Sequence, residues 1–272
     1  MTQLAPRPGD FGALFRLEGE RFCPTRAAGS PWGHFVGGGP VSALLARAIE
    51  GLIEDPAVVV ARLTVDLFRP VPSEPLAVEA RVLRPGKRLQ MAEATLLAAG
   101  VEVARAAAQL LRTIPTDHAT ALDSSTAYAR PGTLPDSPLL DPETQLFERA
   151  FGFHDLVGVR WVSPPTEPGP SVAWMRLPLP LVEGERPSPL VRTAAVTDYL
   201  SALTGTGSDS IASPYINTDL TLYVHRPLEG EWLGIEVDRE IGPLGLGAAR
   251  ARLFDQTGPV GTAAMAVLVN PR

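Results

Sequence analysis

The sequence predicts an α+β protein of two similar lobes, each a helix followed by an antiparallel sheet of four strands. The main observation is a repeat, because a segment of roughly fifty residues occurs twice, 157 positions apart. Leu63-Thr64 recurs as Leu220-Thr221, and Arg69-Pro70 recurs as Arg226-Pro227. Solenoid repeats have periods of about 20 to 50 residues and need three or more copies. A single duplication of this length therefore favours two lobes.

The strand and helix patterns match between the two copies. Four segments in each copy alternate β-branched or apolar residues with polar ones, and turn residues separate them, which is typical of strands. They lie at about 58–69, 76–84, 89–98 and 101–113, and again at about 215–226, 231–240, 246–255 and 259–269. Further strand-like segments lie upstream, at about 13–24, 157–162 and 171–177.

A helix precedes each set of strands. From Pro40 onward, apolar residues recur at i, i+3, i+4 and i+7, which is one helical face packed on a sheet. The second helix covers about 189–204. We expect an N-terminal lobe at 1–113, a proline-rich connector at 114–142 and a C-terminal lobe at 143–272. Joining the lobes edge to edge would remove one pair of unpaired sheet edges.

Charge and composition exclude several classes of partner. The chain has a net charge of −6 and no run of lysine or arginine, so nucleic acid and anionic membranes are not expected partners. An anionic ligand must instead meet a few local cations. No segment approaches the 18 or so apolar residues of a membrane helix, and the start lacks a signal-peptide pattern, so we expect a cytoplasmic protein.

The sequence shows no sign of a metal or a cofactor. Cys23 is the single cysteine, which excludes an internal disulfide and a cysteine-based zinc site. His, Asp and Glu show no metal-ligand spacing. Gly245-Leu246-Gly247 lies in a predicted strand without the rest of a dinucleotide fingerprint, and the chain has no phosphate loop and no Gly-x-Ser-x-Gly elbow. We expect neither cofactor nor metal.

Four motifs carry a resemblance to a known family: Trp32 to Gly39, Thr197-Asp198-Tyr199, Asp219-Leu220-Thr221 with His225-Arg226-Pro227, and Gly258 to Ala264. Together they resemble the acyl-CoA thioesterase II group, which has the double hotdog fold, a long central helix wrapped by a curved antiparallel sheet in each lobe. The resemblance implies hydrolysis of an acyl-CoA to a free acid and CoA by direct attack of water. From the same resemblance we expect the chain to associate into a homo-oligomer.

Asp198 is the first candidate for catalysis. The repeat offset (198 − 157 = 41) places it at the position of Val41, on the apolar stripe of the first helix. A carboxylate turned toward a core is costly unless it is paired, and burial raises its pKa toward the range of a general base. The alternative is an acid that interacts favourably with the helix dipole. In the family it resembles, the matching aspartate orients or activates the attacking water.

Two further positions of the family's water-binding set differ in this chain. The usual threonine is replaced by Asn217, while strand alternation turns Thr218 inward unless a bulge intervenes. The usual glutamine is replaced by Met265, whose thioether cannot donate a hydrogen bond. Core filler is the ordinary role of such a methionine. If the site is active, Thr262 or a group from the other lobe must hold the water in place of the glutamine.

The glycine run before the first helix is a candidate binding element. Backbone amides at Gly38 and Gly39 could polarise the thioester carbonyl, as amides at a helix N-terminus do in the family it resembles. The alternative is tight packing of the loop against a strand. His34 could line the acyl channel or contact a phosphate of CoA.

Two other functions stay open on the sequence alone. One is a non-catalytic protein that binds acyl groups or acyl-CoA, favoured by Met265. The other is a thioesterase that acts on a carrier-protein thioester, which shares the same chemistry.

Overall fold

The computed structural model describes residues 8–114, 134–136, 151–164, 169–203 and 215–269. Most of the predicted connector lies outside these residues. The strands of the first lobe are β1 (Phe15–Glu18), β2 (Arg21–Pro24), β3 (Gly29–Ser30), β4 (Gly33–Val36), β5 (Val58–Leu67), β6 (Val71–Pro72), β7 (Leu76–Arg84), β8 (Leu89–Ala98) and β9 (Val101–Arg112). Helix α1 (Gly38–Glu50) lies between β4 and β5.

The second lobe repeats this plan. Its strands are β10 (Gly158–Ser163), β11 (Ser171–Arg176), β12 (Tyr215–Asn217), β13 (Asp219–Val224), β14 (Leu233–Ile241), β15 (Leu246–Asp255) and β16 (Gly258–Val269). Its helices are α2 (Pro189–Thr197) and the short α3 (Leu200–Leu203), and a 3-10 turn at Phe153–Asp155 precedes β10. None of the described helices is long and apolar enough to cross a lipid bilayer.

One antiparallel sheet runs through both lobes. Its strand order is β1-β2-β7-β8-β9-β5-β13-β16-β15-β14-β11-β10, so β5 and β13 form the seam between the lobes. At this seam Thr64 pairs with Thr221, and their hydroxyl oxygens are 3.3 Å apart. These residues are separated by the repeat offset of 157, so an approximate twofold axis passes between them. The predicted double hotdog fold, with its lobes joined edge to edge, is confirmed.

Helix α2 begins at the predicted residue, and α1 begins two residues before the predicted Pro40. The second helix, predicted to be continuous over about 189–204, is divided into α2 and α3. Helix α2 has Pro189 in its first turn and Ser188 as N-cap, whose hydroxyl accepts a hydrogen bond from the Val191 N–H at 3.1 Å. Helix α1 buries most of its apolar stripe, with Leu44 and Leu45 both at 0% exposure and Ala48 partly buried. It packs against α2 and against β5, β7, β8 and β9. Each buried leucine stabilises the fold by about 1.5–3 kcal/mol.

The repeat offset does not hold through the helices. Strands β8 and β15 start 157 residues apart (246 − 89 = 157), but α1 and α2 start 151 residues apart (189 − 38 = 151). Asp198 therefore corresponds to the last turn of α1, near Arg47, and the prediction that it matches Val41 was wrong. The cause is the distance along the chain from the helix start to the first strand after it, which is 20 residues in the first lobe (58 − 38) and 26 in the second (215 − 189).

The repeated Arg226 has a structural role. Its two terminal nitrogens each lie 2.6 Å from an oxygen of Asp255, which is only 4% exposed. Backbone N–H groups of Glu229, Thr257 and Gly258 also donate to this carboxylate. Although burial acts in the opposite direction, these hydrogen bonds hold the pKa of Asp255 well below its ordinary value. Arg226 thus fixes the turn between β15 and β16 onto the loop after β13.

Candidate active site

Asp198 lies directly after α2, where the C-terminal end of this helix meets the N-terminal end of α1. Protein atoms surround the carboxylate, yet the residue keeps a partly accessible surface. Asn217 Nδ2 donates a hydrogen bond to Asp198 Oδ1 at 2.7 Å, and the backbone N–H of Gly39 donates a second. Within the described residues, no cation forms an ion pair with this carboxylate.

Burial controls the protonation of Asp198. It raises the pKa to about 6, although the hydrogen bonds from Asn217 and Gly39 act to lower it. Burial disfavours the charged form, and the two donors offset only part of this effect. A carboxyl group with such a pKa is largely ionised at neutral pH and can still accept a proton readily, which is the property required of a general base.

The two predicted glycines are needed for close packing at this point. A Cβ atom on Gly38 would lie 2.5 Å from Asp198 Oδ1, and one on Gly39 would lie 2.3 Å from the Ala195 carbonyl oxygen. The close approach is thus between two helices, whereas the alternative raised from the sequence was packing on a strand. Only glycine brings the N-terminus of α1 this near to the carboxylate.

The backbone N–H groups of Gly38 and Gly39 differ in whether they already have a hydrogen-bond acceptor. The first intrahelical bond of α1 runs from the Val41 N–H to the Gly37 carbonyl, and Pro40 has no N–H. The N–H groups of Gly38 and Gly39 therefore have no acceptor within the helix. Gly39 donates to Asp198. The amide of Gly38 has no acceptor among the described residues, so it is the one of the two predicted amides that is free of a protein partner.

A β-bulge decides between Asn217 and Thr218. Asn217 pairs with Val267 and Thr221 pairs with Ala264, so four steps along β12–β13 oppose three along β16. The extra residue is Thr218, whose side chain is exposed. The bulge turns Asn217 toward Asp198, and Asn217 is the member of the pair that reaches the site.

Asp219 holds this bulge in place. Its Oδ1 accepts a hydrogen bond from the Ala266 N–H at 2.7 Å, which ties the bulged strand to β16 through a side chain. The carbonyl of Thr218 accepts from the Leu67 N–H at 2.9 Å across the seam. The prediction that Thr218 points inward was made for a strand without a bulge, and the bulge is the reason that it fails.

Met265 faces the interior from β16 and is 2% exposed. Thr262 is three positions away on the same strand, so it points to the opposite face and is exposed. The expectation that Thr262 could hold the water in place of a glutamine at position 265 was therefore wrong. His34 is exposed on β4, and its role in binding the acyl chain or CoA stays a prediction.

Sequence reasoning missed two aromatic residues beside the site. Phe153 packs against Gly39, since a Cβ on that glycine would lie 2.6 Å from the phenyl ring. The ring of Tyr199 meets Phe153 edge to face, with centroids 5.9 Å apart. Tyr199 stands in the motif Thr197-Asp198-Tyr199, and this position beside the acid was the available signal. No group of three metal-ligating side chains occurs in the part of the chain that the structure describes.

Family models of known proteins match both lobes of the chain. A model of the acyl-CoA thioesterase N-terminal domain matches residues 28–111, and one of the acyl-CoA thioesterase C-terminal domain matches residues 129–269. The chain therefore belongs to the acyl-CoA thioesterase family, and it is a thioesterase enzyme. Comparison with curated protein sequences gives no match.

Solved structures share the fold over nearly the whole chain. A hot dog fold protein of unknown function from Alicyclobacillus acidocaldarius is 18% identical with a TM-score of 0.69, over 94% of this chain and 95% of that one. A putative thioesterase from Novosphingobium aromaticivorans is 20% identical with a TM-score of 0.67, over 96% and 100%. The acyl-CoA thioesterase II TesB2 from Mycobacterium marinum is 16% identical with a TM-score of 0.59, over 94% of each chain.

Proposed function

We propose that the protein hydrolyses an acyl-CoA thioester by direct attack of water, with Asp198 as the general base. The observation that carries this proposal is the carboxylate of Asp198, which is enclosed by protein atoms and held by hydrogen bonds from Asn217 and Gly39. Burial raises its pKa to about 6. A covalent acyl-enzyme would need a nucleophile activated by a neighbouring base. Asp198 acting on water requires no such nucleophile.

The reaction proceeds in two steps. The water oxygen attacks the thioester carbonyl carbon while Asp198 takes the water proton, which gives a tetrahedral intermediate with a negatively charged oxygen. The carbon–sulfur bond then breaks, and the proton passes from Asp198 to the departing sulfur, which releases CoA and the free acid. Asp198 is ionised again at the end of the cycle.

The N-terminus of α1 supplies the electrostatic contribution. The N–H of Gly38 has no intrahelical acceptor, and the helix dipole adds partial positive charge at this end. A developing oxyanion beside Gly38 would be stabilised by both. Loss of one such donor in other hydrolases lowers kcat by about 100- to 1,000-fold. The acyl chain would occupy the apolar space between helix and sheet.

Met265 favours a second candidate, a protein that binds acyl-CoA without hydrolysing it. The thioether is buried on the inner face of β16, where relatives of this family are expected to place a water-binding glutamine. It cannot grip a water as an amide does. In this case Asp198 and Asn217 would serve only to shape the binding site.

A thiol-release assay separates the two candidates. Purified protein is mixed with acyl-CoAs of different chain length and a thiol reagent, and Asp198→Ala is measured beside it. We expect release of CoA by the wild type and loss of at least about 100-fold in the variant. Equilibrium binding of acyl-CoA without any thiol release would support the binding protein instead. Acyl-CoA and acyl-carrier-protein substrates compared in the same assay show which carrier presents the thioester.

A further inference from the structure

The buried hydroxyl of Tyr199 is a polar group that the mechanism above does not use. Tyr199 is 5% exposed, and its hydroxyl oxygen has no hydrogen-bond partner among the described residues. A buried hydroxyl without a partner is costly, so native proteins almost always give such a group a protein or water partner. The partner of Tyr199 must therefore come from outside the described protein groups.

The ring of Tyr199 lies beside the candidate active site. Tyr199 follows Asp198 in the chain, and its ring meets Phe153, which itself packs against Gly39. Besides burial, the negative charges of Asp198 and then Asp155 raise the pKa of Tyr199 well above its ordinary value. The hydroxyl of Tyr199 therefore stays protonated at every working pH.

The nearby acid does not bind this hydroxyl. Asp155 Oδ2 accepts the Gly152 N–H at 2.8 Å and lies 3.2 Å from His154 Nε2, so it closes its own turn. The carboxylate of Asp198 and the hydroxyl of Tyr199 share no direct hydrogen bond, because the hydroxyl has no partner among the described residues. A water molecule between them would satisfy both.

We infer that the Tyr199 hydroxyl binds the attacking water together with Asp198, in place of the amide that Met265 lacks. A hydroxyl both donates and accepts a hydrogen bond, as an amide side chain does and a thioether does not. Two fixed hydrogen bonds orient the water, with one lone pair directed at the thioester carbonyl and one proton directed at Asp198. This inference rests on the proposed function, and it names Tyr199 as a further catalytic residue.

The test is Tyr199→Phe, which removes the oxygen and keeps the ring. We expect kcat to fall by about 10- to 100-fold, with KM little changed because the hydroxyl binds the water and not the acyl-CoA. The melting temperature should equal or exceed that of the wild type, since no hydrogen bond to a described protein group is broken. Tyr223→Phe is the matched control, because Tyr223 is 54% exposed on β13.

The result can overturn the inference in two ways. A decrease in kcat of less than about fivefold contradicts it, because a hydrogen bond that orients the attacking water is worth more than that. Parallel losses of activity and melting temperature also contradict it, since they show that the hydroxyl serves the fold. In either case the proposed hydrolysis stands if the wild type releases thiol.

A measurement independent of turnover keeps the two proposals distinguishable. A crystal structure with ordered solvent should show a water within about 2.5–3.2 Å of both the Tyr199 hydroxyl and the Asp198 carboxylate. A hydroxyl that bonds elsewhere would overturn the inference. If the wild type hydrolyses no acyl-CoA, the proposed function fails, and this structure still decides whether Tyr199 and Asp198 share a water.

Discussion

Replacing Asp198 with asparagine is expected to stabilise the protein at neutral pH while it removes activity. The carboxyl group has a pKa of 3.8 in its ordinary state and about 6 in the folded protein. This difference corresponds to at most about 3 kcal/mol of unfolding free energy at neutral pH. The asparagine keeps an oxygen that can accept from Asn217 and Gly39 but carries no charge.

The sign of the pH dependence follows from the raised pKa. Below about pH 3.8 the carboxyl is protonated in both states, and it contributes no penalty. Between about pH 4 and 6 the unfolded chain ionises first, so the unfolding free energy falls as the pH rises. Above that range the full penalty is present. The advantage of the variant should therefore be large at pH 7.5 and close to zero near pH 3.5.

Urea denaturation of wild type and Asp198→Asn at both pH values measures this difference. Asp238→Asn is the control, because Asp238 is an exposed carboxylate on β14. We expect Asp198→Asn to gain up to about 3 kcal/mol at pH 7.5, and Asp238→Asn to change by less than about 0.5 kcal/mol. A variant that is no more stable at pH 7.5, or equally stabilised at both pH values, would refute the account of a carboxylate whose pKa is raised by burial.

Three further substitutions test other parts of the structure. Gly38→Ala should lower kcat/KM by at least about tenfold, because its Cβ would lie 2.5 Å from Asp198 Oδ1. The control is Gly9→Ala, which should match the wild type in the same kinetic assay because the space around Gly9 is open. Asp255→Ala should lower the unfolding free energy by about 3–5 kcal/mol in urea denaturation, since it leaves the partly buried Arg226 unpaired. A loss under about 1 kcal/mol would contradict the structural role of the Arg226–Asp255 pair. Met265→Gln should raise kcat if position 265 faces the attacking water, and an unchanged kcat in a folded variant would place that water elsewhere.

The fold could be predicted from the sequence because the repeat and the strand alternation are visible directly in the residue types. The predicted strands at 76–84 and 89–98 coincide with β7 and β8. Edge-to-edge joining of the lobes followed from the general cost of unpaired edges. The prediction failed where the offset of 157 was applied to the helices, because the lobes differ in the number of residues between the helix start and the strand that follows.

The site was predicted in its main residue but not in its detail. Asp198 could be predicted because a carboxylate on an apolar helix face is costly unless it is paired. Its selection as a candidate does not depend on the match to Val41, which was wrong. The bulge at Thr218 could not be seen, because it depends on Asp219 bonding the backbone of a strand about fifty residues away. Tyr199 was overlooked for the same reason, since only packing shows that its hydroxyl has no protein partner among the described residues.

The dependence of kcat/KM on pH tests the central claim most directly. If Asp198 is the base, the acid limb for acyl-CoA hydrolysis should have an apparent pKa near 6, with activity lost as the pH falls below it. Asn217→Ala removes a hydrogen bond that lowers this pKa, so its acid limb should move to higher pH. A rate that stays constant down to pH 4.5, or a limb that Asn217→Ala leaves in place, would contradict the assignment of Asp198.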